Sequence, residues 1–242
     1  MAPTAAILLR AWESGAAAAP PDRATALLHS LGAVGAGVRA DELTVGQCDA
    51  RLFELRRALF GETLEALATC PACQAEVDVT LALGELQPPI REGPVAPLTV
   101  QADGYTLVCR IPRNEDLRAL ARHTGEVTLL DLLERCVLEA SSPGGSPVAP
   151  HELPAATVEA IAEALAESDP GAQTALRIRC PCGSEWVDEL DIRSVLWSDL
   201  TEWVGRMLTE VHQLARAYGW SEADILEMSG WRRRWYLEAA GW

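Results

Sequence analysis

The hydrophobic positions of this chain change period several times, and each change marks a change of element. Between residues 4 and 60 the apolar side chains recur at three- and four-residue steps, the spacing of one face of an α-helix. The run from Ala5 to Trp12, the stretch from Asp22 to Leu31 after two prolines, and Thr44 through Phe60 predict three short helices. In the third, Leu52, Leu55 and Leu59 repeat with Phe53 and Ala58 beside them, and Gly61 supplies a C-cap. The segment LGAVGAGVRA before it carries Gly32, Gly35 and Gly37. No strand precedes it, no Lys follows it and its surroundings are acidic, so it reads as a flexible connector rather than a phosphate cradle.

From Thr63 the period becomes two. Leu64, Ala66 and Ala68, then Val77, Val79 and Leu81, alternate as strands do, with Cys70-Pro71-Ala72-Cys73 at the turn between them. PLTVQADGYTLVCRIP predicts a second hairpin, with Asp103-Gly104 as a type I′ turn and Cys109 within a strand. Residues 114–140 read as helix, with Asn114 as N-cap, apolar positions at Leu117, Leu120, Leu129, Leu130, Leu133 and Val137, and a break near Thr124-Gly125. SSPGGSPVAP, 141–150, has the composition of a linker or exposed loop, and a helix is expected from Ala155 to Glu167.

The Cys-tipped hairpin then recurs. Leu176, Ile178 and Cys180 lead into Cys180-Pro181-Cys182-Gly183, and Trp186, Val187, Leu190 and Ile192 return, so 174–192 repeats the layout of 62–82. Leu196, Leu200, Trp203, Met207, Val211, Leu214 and Tyr218 then share one face of a long helix ending at Gly219. Ser221, with Asp224 three residues on, opens a final helix to about Ala239. The pattern predicts an α+β protein in which two Cys-tipped, zinc-ribbon-like β-hairpin units pack with helices and a long C-terminal amphipathic helix pair. The expected segments are 1–61 (helical), 62–140 (first Cys hairpin, second hairpin and helices), 141–150 (linker) and 151–242 (second Cys hairpin and C-terminal helices), with 62–242 as a single body the alternative.

Composition narrows the chemistry. The 242 residues, 26.1 kDa, are 49% hydrophobic and 23% charged, the balance of an ordinary folded protein. Acidic residues outnumber basic ones 35 to 20, for a net charge of −15, and every basic residue is Arg. Without Lys there is no Walker lysine, no Schiff base and no lysine general base. The acidic balance argues against nucleic acid as a partner, because backbone binding needs clustered positive charge. No run of 18 apolar residues predicts membrane insertion, and the N-terminus lacks a basic leader, so synthesis in the cytoplasm is expected.

Seven Cys, four of them in two close pairs, suit reduced thiols or metal ligands better than a secreted disulfide framework. Cys70, Cys73, Cys180 and Cys182, each pair at a hairpin tip, are the arrangement by which two knuckles clamp one tetrahedral zinc. Such a site, with four thiolates and no open position, would be structural and would tie the two halves of the chain into one body. The first knuckle carries Gln74 where Gly183 sits in the second, and the second is one residue shorter. Buried free thiols, or a site that has lost its metal, remain alternatives. A thioredoxin-type role fits less well, since the flanks are extended rather than helical. Cys48, Cys109 and Cys136 read as isolated buried thiols, and His29, His123, His151 and His212 show no ligand spacing. No catalytic motif is found, and the chain reads as non-enzymatic.

Seven of the eight Trp follow residue 185, and Trp220, Trp231, Trp235 and Tyr236 gather around Arg232, Arg233 and Arg234. Aromatics mixed with Arg are the anchors of protein interfaces, which makes this segment a candidate contact surface. The alternative is that these rings pad the core and the arginines pair with surface acids.

LFELRRALFGETLEALATCPACQAEVDVTLALGEL in the first half resembles a known family, as do RCPCGSEW and LWSDLTEWVGRMLTEVHQLARAYGWSEADILEMSGWRRRWYLE in the second. The family is that of the baseplate hub assembly chaperones and baseplate proteins of T-even-type phages, found also in phage-like contractile injection systems. The resemblance covers about 48–82 and 174–238. It implies a protein that helps build, or forms part of, a contractile baseplate in the bacterial cytoplasm or the particle, with other baseplate, hub or spike proteins as partners. The Cys positions follow the family pattern apart from the short second knuckle. A zinc-ribbon adaptor unrelated to tail particles and a thiol oxidoreductase are the rival readings.

Overall fold

Capping and side-chain period set most of the element boundaries. A computed structural model describes residues 3–34, 38–89, 93, 95–123 and 125–242. Gly35 and Gly37 of the expected connector, and Thr124 of the expected helix break, lie outside the described residues. The three N-terminal helices form as α1 (Ala5–Ala16), α2 (Pro20–Ser30) and α3 (Val45–Phe60). Thr44 caps α3 in a reciprocal box: its hydroxyl accepts from the Gln47 amide and its own amide donates to the Gln47 side chain, both at 3.1 Å. The first Cys hairpin follows as β1 (Thr63–Thr69) and β2 (Glu76–Ala82), then a single turn, α4 (Leu83–Leu86).

The middle of the chain departs from the expected long helix. β3 (Leu98–Ala102) and β4 (Tyr105–Cys109) pair across Asp103-Gly104, both with positive φ, as a type I′ turn requires. After α5 (Asn114–Ala121) and α6 (Leu129–Cys136) the chain becomes a strand, β5 (Val137–Ser141), antiparallel to β4 in a β3-β4-β5 sheet. Val137 was expected on a helix; it pairs with Cys109. Asn114 is likewise not a cap: its side-chain amide donates to the Ala40 carbonyl at 3.1 Å and its oxygen accepts from Arg193 at 2.9 Å. The 141–150 segment folds back on β5, with Ser142 bonded to Ser146 and Val148 to Ala140, so its glycines and prolines make a tight, exposed loop.

α7 (Ala155–Ser168) precedes the second Cys hairpin, β6 (Ala175–Arg179) and β7 (Glu185–Glu189). Ile192, expected in the returning strand, opens α8 (Ile192–Tyr218), because the Asp191 carboxylate caps the amides of Arg193 and Ser194. The expected final helix divides into α9 (Glu222–Glu227) and α10 (Gly230–Ala239): Ser229 takes extended backbone and accepts from the Arg232 amide, starting a new helix. Among the described residues, helices and three small antiparallel sheets thus make an α+β fold.

Two buried clusters hold these elements. In the larger, the first half of α8 (Leu196, Leu200, Val204, Met207) packs with Leu8, Leu27, Leu28, Leu52 and Phe53 from α1 to α3. Each fully buried leucine contributes on the order of 2 kcal/mol. The smaller joins Val100, Leu107, Ile111, Leu133, Ile161 and Leu165, from the three-stranded sheet, α6 and α7. Side chains from 5–60 and 192–207 therefore share one interior, and the two halves of the chain meet without the thiols.

Close backbone approach fixes one glycine. A Cβ on Gly46 would sit 2.4 Å from Asp169 Oδ1 and 2.8 Å from the Ala172 amide nitrogen, where Asp169 accepts from the Gly46 amide and the Thr44 hydroxyl.

Asp116, with no exposed side-chain surface, accepts two hydrogen bonds from Arg110 (2.6 and 2.7 Å), one from Arg135 (3.0 Å) and one from the Arg113 amide (2.9 Å). Burial alone would raise its carboxyl; these donors outweigh it and hold the carboxyl below the ordinary 3.8. Asp116→Asn is expected to lower the unfolding free energy by about 3 kcal/mol, read by denaturant titration. Because the folded-state pKa is depressed, the difference between wild type and variant should be full above about pH 4 and shrink as pH falls through the folded value.

Candidate metal centre and contact surface

The thiols sit where two strand faces run out. Along β1, Leu64 is buried in the larger core, Ala66 and Ala68 are half-buried on the same face, and the next residue of that period is Cys70. Along β6, Ile178 is buried and Cys180 is the next on its face. In the first knuckle the Gln74 amide donates to the Cys70 carbonyl and the Cys70 amide to Ala75, both at 2.9 Å. In the second the Gly183 amide donates to Cys180 and the Cys180 amide to Ser184, again at 2.9 Å.

The two knuckles align from their far ends. In each, the second Cys immediately precedes a left-handed residue: Gln74 at φ 60° after Cys73, and Gly183 at φ 91° after Cys182. The residue missing from the second knuckle is therefore the one between Pro181 and Cys182. Gly183 takes its conformation freely, whereas Gln74 holds it against a penalty of about 1 kcal/mol, helped by its side chain donating to the Pro71 carbonyl at 3.2 Å.

The tips bring together all four predicted ligands from 107 and 112 residues apart. Cys70 Sγ lies 3.8 Å from Cys182 Sγ, Cys73 Sγ lies 3.7 Å from Cys180 Sγ, and all four sulfurs are within 4.8 Å of one another. A disulfide needs about 2.05 Å, so these are separate thiols. Four thiolates at about 2.3 Å from a tetrahedral ion lie about 3.8 Å apart, the spacing seen across the hairpins. Cys70 and Cys180 are covered and Cys73 and Cys182 exposed, at the edge of the molecule.

Mutual electrostatics grade the thiols. The Cys73 amide, followed by that of Ala72, donates to Cys70 and brings it down to about 6. The Cys182 amide favours ionised Cys180, but burial and hydrogen bonding to the other three sulfurs outweigh it and push Cys180 up to about 12. One thiol ionises readily, and its neighbours hold Cys180 protonated. The remaining thiols lie outside this cluster, with burial pushing Cys48 and Cys136 up to about 11 and the neighbouring Cys109 adding to the effect on Cys136.

The C-terminal candidates separate into two groups. Trp220 stacks on Tyr218 with centroids 4.5 Å apart, Tyr236 meets Trp220 edge-on at 4.8 Å, and the Tyr218 hydroxyl donates to the Tyr236 carbonyl at 3.0 Å. These rings fasten α10 to the end of α8. Arg233 is also internal: it is buried, its Nε donates to Glu210 at 2.8 Å and its Nη1 to the Met228 carbonyl at 2.6 Å. Trp231 and Trp235, 72% and 54% exposed, stand one helical turn apart with Arg232 and Arg234 exposed beside them. Gly241, in a left-handed turn, lets the Trp242 amide bond to Leu237, and the Trp242 ring is also exposed.

A cleft of about 540 Å³ escaped sequence reasoning. Leu117, Leu129, Leu132 and Leu165 line it together with Asp49 and Arg193. Burial raises Asp49 to about 6, against the pull of Arg193, whose Nε donates to it at 2.6 Å. Asp169 and Asp191, also on the wall, are engaged with Gly46 and with the α8 amides. Its lining comes from segments far apart in the chain, and no local motif announces it.

The fold and site define a helix-rich protein whose special features are a four-thiol junction between two hairpins and an exposed aromatic-Arg helix. The family described as T4 bacteriophage base plate protein matches residues 19–196, and the chain belongs to that family. The matched span includes both knuckles and ends in the first turns of α8. Comparison with curated proteins and with solved structures gives no match. Among the described residues no helix is long and apolar enough to cross a membrane.

Thiol chemistry follows from the graded values. In chelator-treated protein the exposed Cys73 and Cys182 at the hairpin tips should be alkylated first as pH is raised, and Cys48 and Cys136 should stay unmodified until the chain unfolds. Mass spectrometry of alkylated peptides across this range reads the order directly, and first modification at Cys48 or Cys136 would contradict it.

Proposed function

We propose that the chain is a non-enzymatic component or assembly factor of the baseplate of a contractile, phage tail-like injection system, acting by protein–protein contact. The observation that carries the contact reading is α10, which presents Trp231, Trp235, Arg232 and Arg234 to solvent on a helix pinned from behind by Tyr218, Trp220, Tyr236 and Arg233. Rigid aromatic and Arg anchors are what partner proteins bind. The partners are other baseplate, hub or spike proteins, met in the bacterial cytoplasm during assembly or in the particle. Family membership speaks against an adaptor unrelated to tail particles. We also read the four thiols as a structural zinc-ribbon-like site, supported by the spacing across the hairpins.

Pull-down of the tagged chain from cells producing the particle, with mass spectrometry, should recover baseplate, hub or spike proteins. Trp231→Ala combined with Trp235→Ala should weaken that recovery by at least about 30-fold, the effect of losing about 2 kcal/mol at an interface anchor, while thermal stability stays unchanged. Elemental analysis of the same preparation should find about one zinc per chain. Recovery unaffected by the double substitution would remove α10 from the contact surface.

A further inference from the structure

The two Cys hairpins are unusual in how little holds them. β1–β2 and β6–β7 are separate two-stranded sheets, with no ladder between them and only marginal backbone contact with the rest of the fold. Of their strand residues, only Leu64 is among the buried members of either core, with Leu81 packed against it from the other strand. The second hairpin is rooted through Leu190 and Ile192, just beyond β7. Ile178, although buried, belongs to neither core cluster, and it shares a face with Cys180, whose sulfur is 3.7 Å from Cys73.

An isolated two-stranded hairpin is marginally stable in water. Its tip acquires fixed structure when something ties it down, and here the tips meet at the thiols.

We propose that one thiolate-preferring, tetrahedral divalent ion of the zinc class, held by Cys70, Cys73, Cys180 and Cys182, is a local latch. It joins the two hairpins into a single ordered arm and contributes little to the stability of the helical body. The inference rests on the reading of these thiols as a metal site. The ion would close a loop of about 110 residues, and in the folded chain the packing of α8 on α1 to α3 closes that loop without it, with both roots fixed in the core. The ion therefore orders only the stretch from root to tip on each side. Removing it frees the arm and leaves the body folded, so the arm's order follows metal supply.

The test uses the full chain in three forms: zinc-loaded, stripped with a zinc chelator, and carrying Cys70→Ser with Cys180→Ser. Metal content is measured on each, and amide hydrogen exchange is followed by mass spectrometry. Loaded protein should hold about one zinc. Stripped and substituted protein should exchange about tenfold faster or more within 66–79 and 176–188, with α1, α3 and the first half of α8 unchanged. Exchange that rises throughout the chain on stripping would make the ion a keystone of the whole fold, and exchange unchanged in the hairpins would show that the arm needs no latch. Either result overturns the inference while metal binding stands. A chain that takes up no zinc, with hairpins protected in every form, would overturn the metal reading itself.

Discussion

The N-terminal and C-terminal halves of the larger core are brought together by the insertion of the first half of α8 among α1, α2 and α3. Leu196, Leu200, Val204 and Met207 complete an interior that Leu8, Leu27, Leu28 and Phe53 cannot close alone. Charged groups fix the register of that insertion. Arg56, nearly buried on α3, donates to Asp199 of α8 at 2.9 Å and also to the carbonyls of Gly61 and Thr63, where the chain leaves α3 for β1. Arg193 at the start of α8 reaches Asp49 on α3 and Asn114 on α5. One helix thereby sets the roots of both hairpins, and the meeting of the four thiols follows from where those roots lie.

The acidic character of the chain is distributed with similar economy. Several carboxylates are engaged by arginines or backbone amides within the fold, as at Asp49, Asp116, Asp169 and Asp199. The guanidinium is suited to this, since its fork of donors can satisfy a carboxylate and a carbonyl at once. Arg232 and Arg234 on α10 stay exposed.

Much of this was legible from side-chain period. The N-terminal helices, both Cys hairpins, the Asp103-Gly104 turn and the long C-terminal helix follow from spacing and from residues whose local chemistry dictates a turn or cap. The failures share a cause. Val137 continues the helical pattern of Leu130 and Leu133, but the open side of β4 offers ladder hydrogen bonds that only a strand can use, and this is invisible locally. Ile192 looked like the end of a strand because its apolar side chain fits either period; the Asp191 cap decides for helix. Of the C-terminal candidates, sequence could not tell outward Trp231 from inward Trp220 and Arg233, because that depends on where α10 lands against α8. The thiol cluster was the most legible feature, since the side chains required for it were present as two matching local patterns. The cleft was the least legible.

The length of α8 has a mechanical consequence. Its 27 residues span about 40 Å at about 1.5 Å per residue. The first half is gripped by close-packed side chains that cannot tilt without displacing their neighbours. The second half carries α10, fastened by the Tyr218–Trp220–Tyr236 rings and the Arg233–Glu210 pair. The helix is therefore a spacer of fixed length between the hairpin roots and the outward tryptophans. A load applied at α10 passes to the core along α8 and through α9, where Ile225 is buried and Leu226 packs against the larger cluster. Geometry of this kind measures distance: whatever engages the two ends must stand at the separation the rod imposes.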